Sequence, residues 1–476
     1  MGPDLIILLA RLLPLPFVAA WGACIGSLIN VLAYRIPKGI SVVWPASACP
    51  ACQTKLTWRE NIPIFGWLLL RGRCRFCKSK ISPEYPIVEA TVAFLFAGLV
   101  ALWYVIPNPH GGRGPVWLGL DWSRLQPEWA ANGAVTWPIM LAVLILVSCL
   151  VAMTIIDAKT FTIPLVLPWT ATLAALVIHT GFAAWIQWDR GLLRHTAPLD
   201  GGFYRWSLPT PDREMILACI GATIGLGVAL LLVRFGLIKR SFMDYDEWEA
   251  RTLDEQARAG QPLPPTHPAD NPTDGSASTP TPAPPTASQP DDPTSLWIAY
   301  PHARREMVRE LAFLAPAAIL GLAGYQLGVR YWPTPRLPEG AIGLIFDPGP
   351  PLWLAVLGGV LLGYLVGGGV VWFVRIFGSL AFGKEAMGMG DVHLLAAVGA
   401  CLGWIDAVLA FFGAAFVGVA WAVLSAVGGR GARRAMPYGP FLAVATLLVM
   451  VAKPAIESGL NLLLGVPAGV TPINIP

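Results

Sequence analysis

Long uncharged apolar runs dominate this sequence and limit the folds open to it. Leu12–Tyr34, Trp137–Ile156 and Leu352–Val374 each contain about twenty or more uncharged residues, the length that a helix needs to cross the hydrocarbon core of a bilayer. Charged residues make up 13% of the chain, roughly half the share found in soluble domains. The sequence therefore predicts an all-α polytopic membrane protein.

Ten segments are predicted as transmembrane spans, and one of them is short. Val392–Trp404 is long enough to cross only about half of a bilayer. The other nine predicted spans are Leu12–Tyr34, Ala90–Ile106, Trp137–Ile156, Ile163–Trp185, Met215–Val233, Leu311–Val329, Leu352–Val374, Ala407–Val427 and Pro437–Val451.

Basic residues concentrate near alternate ends of these segments, for example at Arg35, between Lys55 and Lys80, and at Arg430–Arg434. Cytoplasmic loops of membrane proteins carry such an excess, so these ends are predicted to face the cytoplasm, although the opposite loops also hold some arginines. The first apolar run lacks a basic start and a small-residue cleavage site, which predicts a retained span. A net charge of +4 is too small to indicate a nucleic-acid partner.

The predicted domain boundaries follow the polar segments. The predicted parts are a first span at 1–34, a cytoplasmic four-cysteine domain at 35–86, two membrane halves at 87–236 and 309–476, and a cytoplasmic linker at 237–308. Within the linker, Gln261–Pro293 is rich in proline and almost free of apolar residues. Because such a segment cannot bury enough apolar surface to offset its ordering entropy, it is predicted to be disordered.

Two close pairs of cysteines lie in the polar segment that follows the first span. Cys49 and Cys52 form one C-x2-C pair, and Cys74 and Cys77 form the other, 21 residues further on. Two such pairs suit a closed tetrahedral zinc site with a structural role. Two redox pairs or two disulfides are the alternatives, but the basic flanks point to the cytoplasm, where disulfides are rare. Four further cysteines are predicted to be small core residues: Cys24, Cys149, Cys219 and Cys401.

Two aspartates interrupt the apolar segments at the same predicted membrane face. Asp157 ends the third span, and Asp391 begins the short helix behind Gly388 and Gly390. Two carboxylates that share a proton can activate water and protonate a leaving amine, as in aspartic proteases. The alternative is structural, with Asp391 as a helix N-cap and Asp157 as a loop residue. The helix N-terminus would favour ionised Asp391, whereas Asp157 at a helix C-terminus lacks that help.

Three other titratable residues are weaker candidates. His393 is a possible interfacial base, and Glu89 either caps the second span or faces the site. His179 is predicted to be an interior helix residue.

Several motifs in this order resemble the type IV prepilin peptidases. The family's G-x-G-D motif is matched by Gly388 to Asp391, and its first aspartate, seven residues before a proline, by Asp157 and Pro164. "GSLINVLAYRIP", the cysteine segment with "ISPEYPIVEA", and "MPYGPFLAVA" are similar to its other blocks. Leu165 departs from the usual acid or amide, His393 from a common lysine, and residues 186–351 have no recognised counterpart.

The resemblance implies a membrane aspartic endopeptidase of the bacterial inner membrane, with Asp157 and Asp391 as its catalytic dyad facing the cytoplasm. Its substrates would be type IV prepilins or type II secretion pseudopilins, cut after a glycine. Relatives with the four-cysteine domain usually also methylate the new N-terminus with S-adenosylmethionine. A catalytically silent pilin-assembly factor and a proton-coupled transporter are the alternatives from other classes.

Overall fold

The computed structural model describes residues 12–106, 133–189, 206–239, 302–333, 350–382, 386–427 and 437–465, with short pieces within 116–130 and 241–258. The linker segment predicted at 261–293 lies outside the described residues.

Helices form nearly all of the regular structure in the described ranges. They are α1 (Pro14–Arg35), α2 (Phe65–Leu69), α3 (Glu84–Val100, continued by a π-turn at Ala101–Val105), α4 (Gly133–Thr160), α5 (Val166–Asp189), α6 (Arg213–Arg234), α7 (Ala303–Tyr331), α8 (Leu352–Phe382), α9 (Met389–Leu402), α10 (Trp404–Val427) and α11 (Gly439–Leu463). A small antiparallel pair joins β1 (Val116–Trp117) to β2 (Leu120–Asp121).

The predicted all-α membrane architecture is confirmed. Eight of the described helices are long and apolar enough to cross a membrane, and α9 and the first part of α11 are shorter apolar helices. The chain is thus a multi-pass membrane protein whose spans closely follow the predicted segments. The fourth span begins at Val166 rather than Ile163, because Pro164 lies in the turn before it.

The short helix α9 occupies the centre of the bundle. It packs against α4, α5, α8, α10 and α11, and every residue from Leu394 to Leu402 is buried. A helix that is apolar on all sides lies either in a protein interior or in lipid, and this predicted half-span lies in the protein interior. The other helices shield α9 from the membrane.

Glycines fix both ends of α9. Gly388 is its N-cap residue in extended conformation, and Gly403 ends it with a φ of 99°. A Cβ at Gly403 would lie 2.6 Å from Cδ of Pro209, so the ring of Pro209 packs directly against this end. Any other residue at Gly403 would meet both a strained φ and a steric overlap.

The contact between α8 and α9 is made through backbone. A Cβ on Gly363 would overlap the carbonyl oxygen of Gly399, and a Cβ on Gly399 would overlap that of Gly363. Small residues allow helices to approach this closely in membranes, where dispersion contacts replace the hydrophobic effect. This crossing sets the position of α9 along α8.

The two inserted helices form a tightly joined pair. In α6, Gly221 and Gly225 meet the backbone of α7 at Leu320 and Ala317, and glycines of α7 meet α6 in the same way. The pair then packs against α8 through both helices. Residues 206–239 and 302–333 therefore form a helical hairpin along one side of the bundle.

The four scattered cysteines divide between core and surface. Cys149, Cys219 and Cys401 are buried, as predicted, whereas Cys24 is exposed on α1, so its prediction as a core residue was wrong. The outer face of a membrane helix is as apolar as its inner face, and hydropathy cannot tell them apart.

The substitution Gly363→Ala should lower the free energy of unfolding by roughly 1–3 kcal/mol, because its methyl group overlaps the Gly399 carbonyl. Gly369→Ala, on the same helix, is the matched control, since a Cβ there meets open space. Thermal unfolding in detergent and the amount of folded protein in membranes measure both. Equal stability of the two variants would contradict the close crossing.

Candidate active site and metal centre

The two predicted aspartates lie at the same end of the bundle. Asp157 is in the last turn of α4, Asp391 is in the first turn of α9, and these helices contact each other. Both side chains are buried, with exposed fractions of 5% and 8%. Buried carboxylates in an apolar bundle are expensive unless function or strong partners retain them.

The N-terminus of α11 holds Asp157. The backbone amide of Gly439 donates a hydrogen bond to its carboxylate, and a Cβ on Gly439 would lie 2.5 Å from Oδ2. Position 439 therefore has no room for a side chain. Asp157 has amide support after all, so the prediction that it lacks such help was wrong. The helix that supplies the amide is α11, which no sequence pattern within α4 could reveal.

Asp391 occupies the third position of α9 rather than its N-cap. The N-cap residue is Gly388, and the backbone amide of Gly388 donates a hydrogen bond back to the Asp391 carboxylate. This is the acidic half of a capping box, in which the side chain at the third helical position accepts a hydrogen bond from the backbone amide of the N-cap residue. The predicted alternative, with Asp391 itself as the N-cap, was wrong in position.

Ile163 fills the space beside both aspartates. A Cβ on Gly390 would lie 2.8 Å from Cβ of Ile163, and one on Gly439 would lie 3.2 Å from its Cδ1. Gly390 and Gly439 thus let the loop after α4 settle between α9 and α11. The charge of Asp157 repels that of Asp391, whereas the charge of Arg375 attracts it. The two carboxylates belong to one electrostatic site.

The other sequence candidates have structural partners. Nδ1 of His393 lies 3.0 Å from the carbonyl oxygen of Met389, one turn earlier in α9. His179 is fully buried, as predicted, and the indole of Trp206 donates to its Nδ1 at 3.3 Å. Leu165 is an exposed residue directly before α5. Sequence reasoning missed Tyr438, which interacts with Asp391 electrostatically and donates to the Phe411 carbonyl at 3.1 Å.

The four paired cysteines converge on one point. Their sulfur atoms all lie within 4.8 Å of one another, with 3.9 Å between Cys49 and Cys77 and 4.0 Å between Cys52 and Cys74. A tetrahedral ion with metal–sulfur bonds of about 2.3 Å places its ligands roughly 3.8 Å apart. All four cysteines are free thiols here, so the arrangement fits one metal ion with four sulfur ligands.

Two matching turns present these sulfurs. The amide of Cys49 donates to the carbonyl of Thr54, and that of Cys74 donates to the carbonyl of Ser79 in the same way. Each turn has a residue with positive φ directly after its second cysteine, at 55° in Gln53 and 59° in Lys78. Within the turns, amide hydrogen bonds from Cys52 and Ala51 lower the pKa of Cys49 to about 6, and the Ser79 hydroxyl lowers the pKa of Cys77. At Cys49 and Cys77 these hydrogen bonds favour the thiolate, which is the form that binds metal.

Two parts of the chain match family models. Residues 20–103 match the bacterial peptidase A24 N-terminal domain, and residues 337–423 match the type IV leader peptidase family. In these two parts the chain is similar to type IV leader peptidases. The resemblance drawn from its motifs is thereby confirmed.

Three of the curated relatives that match this chain are named prepilin leader peptidase/N-methyltransferase. The Myxococcus xanthus (strain DK1622) protein is 48% identical over 80 residues, which are 17% of this chain and 24% of that protein. The Pectobacterium carotovorum subsp. carotovorum protein is 34% identical over 166 residues, covering 30% of this chain and 48% of that protein. The Aeromonas hydrophila protein is 29% identical over 245 residues, covering 44% of this chain and 73% of that protein.

The chain thus aligns with less than half the length of the first two relatives, and no solved structure matches it significantly. The two family models leave residues 104–336 unmatched. Asp391 lies inside the second match, whereas Asp157 and the α6–α7 hairpin lie outside both.

Glu89 attaches the cysteine domain to the membrane helices. Its Oε2 accepts the backbone amide of Ile64 at 2.6 Å, and its carboxylate also accepts the hydroxyl of Ser27 in α1. Ile64 has a φ of 62°, and the bond fixes this unusual conformation. A Cβ on Gly26 would lie 2.6 Å from Cα of Glu89, so α1 and α3 meet at this point. Glu89 is a docking residue rather than a helix cap.

Glu89→Ala should therefore loosen the cysteine domain, because a hydrogen bond from an amide to a carboxylate contributes about 1.5–3 kcal/mol. Limited proteolysis within residues 45–82 should accelerate at least about tenfold. Glu84 lies on α3 like Glu89 and forms an exposed ion pair with Lys159 of α4. Glu84→Ala removes this ion pair and should leave the cleavage rate nearly unchanged. Equal cleavage rates for the two variants would show that Glu89 does not hold the domain.

Proposed function

We propose that this chain is a membrane aspartic endopeptidase that removes the leader of type IV prepilins or type II secretion pseudopilins, and that Asp157 and Asp391 are its catalytic residues. The observation that carries the proposal is the pair of buried carboxylates at one end of the bundle, with the second in the G-x-G-D sequence. The names of the relatives supply the substrate class.

The proposed reaction needs one carboxylate as base and one as acid. The ionised aspartate takes a proton from water, the resulting hydroxide attacks the scissile carbonyl, and the protonated aspartate donates to the leaving amine. Asp157 accepts a hydrogen bond from the backbone amide of Gly439, and Asp391 accepts one from that of Gly388. Mutual repulsion of the carboxylates favours the singly protonated pair, and the two groups act as a unit.

We place this site at the cytoplasmic face of the bacterial inner membrane. Arg35, Lys159 and Arg234 end their helices at the same end of the bundle as the aspartates. Positive charge of this kind is retained on the cytoplasmic side. A leader that is itself basic stays on that side for the same reason, which brings the bond to be cut to the aspartates.

We also propose that the four-cysteine site holds one structural zinc ion. Zinc suits four thiolates, and a closed set of four ligands leaves no position for a substrate. The cysteine domain is small, with two isolated β-bridges and the short helix α2 as its regular structure in the described residues. Metal binding would therefore contribute directly to its folding.

Methylation of the new N-terminus is the second activity that we propose, because the relatives are named as N-methyltransferases as well as leader peptidases. The methyl donor would be S-adenosylmethionine, whose sulfonium is a cation. A cavity beside the cysteine site is lined by Arg71, Arg73, Arg75 and Lys78. Four cations there would repel the sulfonium, so this cavity does not fit the donor.

Asp157→Asn and Asp391→Asn should each lower prepilin processing by at least about a hundredfold, and the double variant should be no worse than either single variant. Mass measurement of the pilin N-terminus reports cleavage and any added methyl group together. The double variant Asp406→Asn/Lys453→Met is the control, since it also neutralises a buried aspartate, together with its ion-pair partner, but at the other end of α9.

Cleavage at a near wild-type rate by either single variant would remove that aspartate from the reaction. An assembly factor without catalytic activity would bind the prepilin uncut even as the wild-type protein. A transporter would lose proton flux in these variants without any processing to lose.

For the metal, purified protein should contain about one zinc ion per chain, and Cys49→Ser or Cys74→Ser should lower that content severalfold. Elemental analysis by mass spectrometry measures it. Cys149→Ser changes a buried cysteine outside the cluster and should leave the zinc content unchanged. Less than about half an ion per chain in the wild-type protein would contradict the site.

A further inference from the structure

The α6–α7 hairpin places the buried acidic residue Glu310 against α8. Glu310 of α7 and Arg375 of α8 are each only 2% exposed. Nε of Arg375 donates to Oε1 of Glu310 at 3.1 Å, and its Nη2 donates to the same oxygen at 3.0 Å. The indole of Trp372 donates to Oε2 at 2.9 Å. Glu310 thus fixes the guanidinium in one orientation.

The other edge of the guanidinium reaches the aspartate motif. Nη1 of Arg375 donates to the backbone carbonyl oxygen of Met387, the residue directly before Gly388. The ring of Phe242 lies 5.3 Å from the guanidinium and covers one side of it. One rigid cation therefore joins α7 of the inserted hairpin to the turn that carries Asp391.

This turn cannot position itself. Gly388 and Gly390 flank Met389 and have no side chains that could restrict the backbone or make contacts. Two residues of α8 support the turn. The hydroxyl of Ser379 accepts a hydrogen bond from the amide of Ala386 at 3.0 Å, and Arg375 donates to the carbonyl of Met387. The planar guanidinium suits this task because it can bind a carboxylate and a carbonyl at fixed angles simultaneously.

We propose that Arg375 is a positioning residue that holds the Gly388–Asp391 turn in its active geometry, and that the inserted hairpin serves to hold Arg375 through Glu310. The proposal rests on the proposed peptidase function of Asp391. Arg375 does not touch the reacting atoms; it acts through the backbone of Met387. Its positive charge also attracts Asp391 across the same turn.

The hairpin is built as a rigid support. Gly221 and Gly225 of α6 and Gly324 of α7 bring the two backbones into direct contact, which leaves little freedom for α7 to slide. Near the same end, Nε of Arg304 donates to the carbonyl of Leu380 in α8 at 3.1 Å. Glu310 is therefore held in position relative to α8 by contacts on both sides.

A positioning role can be separated from a role in stability, because a buried ion pair often contributes little to stability when both charges are replaced together. Arg375→Met alone leaves Glu310 buried and unpaired, which should destabilise the protein. The double variant Glu310→Gln/Arg375→Met removes both charges and should unfold near the wild-type temperature. It still lacks the donor to Met387, so its kcat should remain at least about tenfold below wild type with KM within about twofold.

The control is the double variant Asp406→Asn/Lys453→Met. It removes another buried ion pair, 2.9 Å long, at the far end of α9, and should keep kcat within about twofold of wild type. Recovery of wild-type kcat in Glu310→Gln/Arg375→Met would overturn the proposal, because Arg375 would then act on stability alone.

Hydrogen exchange gives a readout that does not depend on peptidase activity. Amides of residues 386–391 should exchange at least about tenfold faster in the Glu310→Gln/Arg375→Met variant, whereas exchange in the core of α4 should not change. Unchanged exchange in this turn overturns the positioning role even if the wild-type protein cuts no prepilin. Absence of wild-type cleavage together with faster exchange in the variant would instead reject the peptidase function and retain the positioning role.

Discussion

The structure depends on the complete burial of one short helix whose first turn carries a charge. Five helices surround α9, and the Gly363–Gly399 crossing fixes its height against α8. Because the helix is buried from Leu394 to Leu402, its first turn can lie within the bundle and present Asp391 to a neighbouring helix. The bundle thereby provides a protected polar site inside an otherwise apolar body, which is where membrane proteins keep ionisable groups that have a function.

Glycine determines how closely the elements around this site approach. Gly390 and Gly439 contact Ile163 and Asp157 at distances that exclude any side chain, and Gly388 lets the chain enter α9 in extended conformation. The carboxylates are consequently held by backbone amides rather than by side chains. Backbone donors are fixed by the helices that carry them, so the geometry of the site follows from the packing of α4, α9 and α11.

Much of this arrangement could be predicted from the sequence, because hydropathy reports spans and cysteine spacing reports ligand pairs directly. The contacts between helices could not. Cys24 and Cys149 lie in equally apolar runs, yet one is exposed and the other buried, since lipid and protein interior select the same side chains. Gly439 and Arg375 escaped notice for a related reason: each acts on an aspartate from a different helix, and only the packing of those helices brings them together.

The ion pair between Glu310 and Arg375 also couples the evolution of two distant parts of the chain. Arg375 without an acidic partner would be a lone charge in an apolar interior, and Glu310 without Arg375 would be equally unfavourable. Neither residue can be gained or lost by itself without passing through a less stable form. Among related sequences we therefore expect the inserted hairpin and an arginine thirteen residues before the G-x-G-D motif to be inherited together, and shorter relatives to place an uncharged residue at that position.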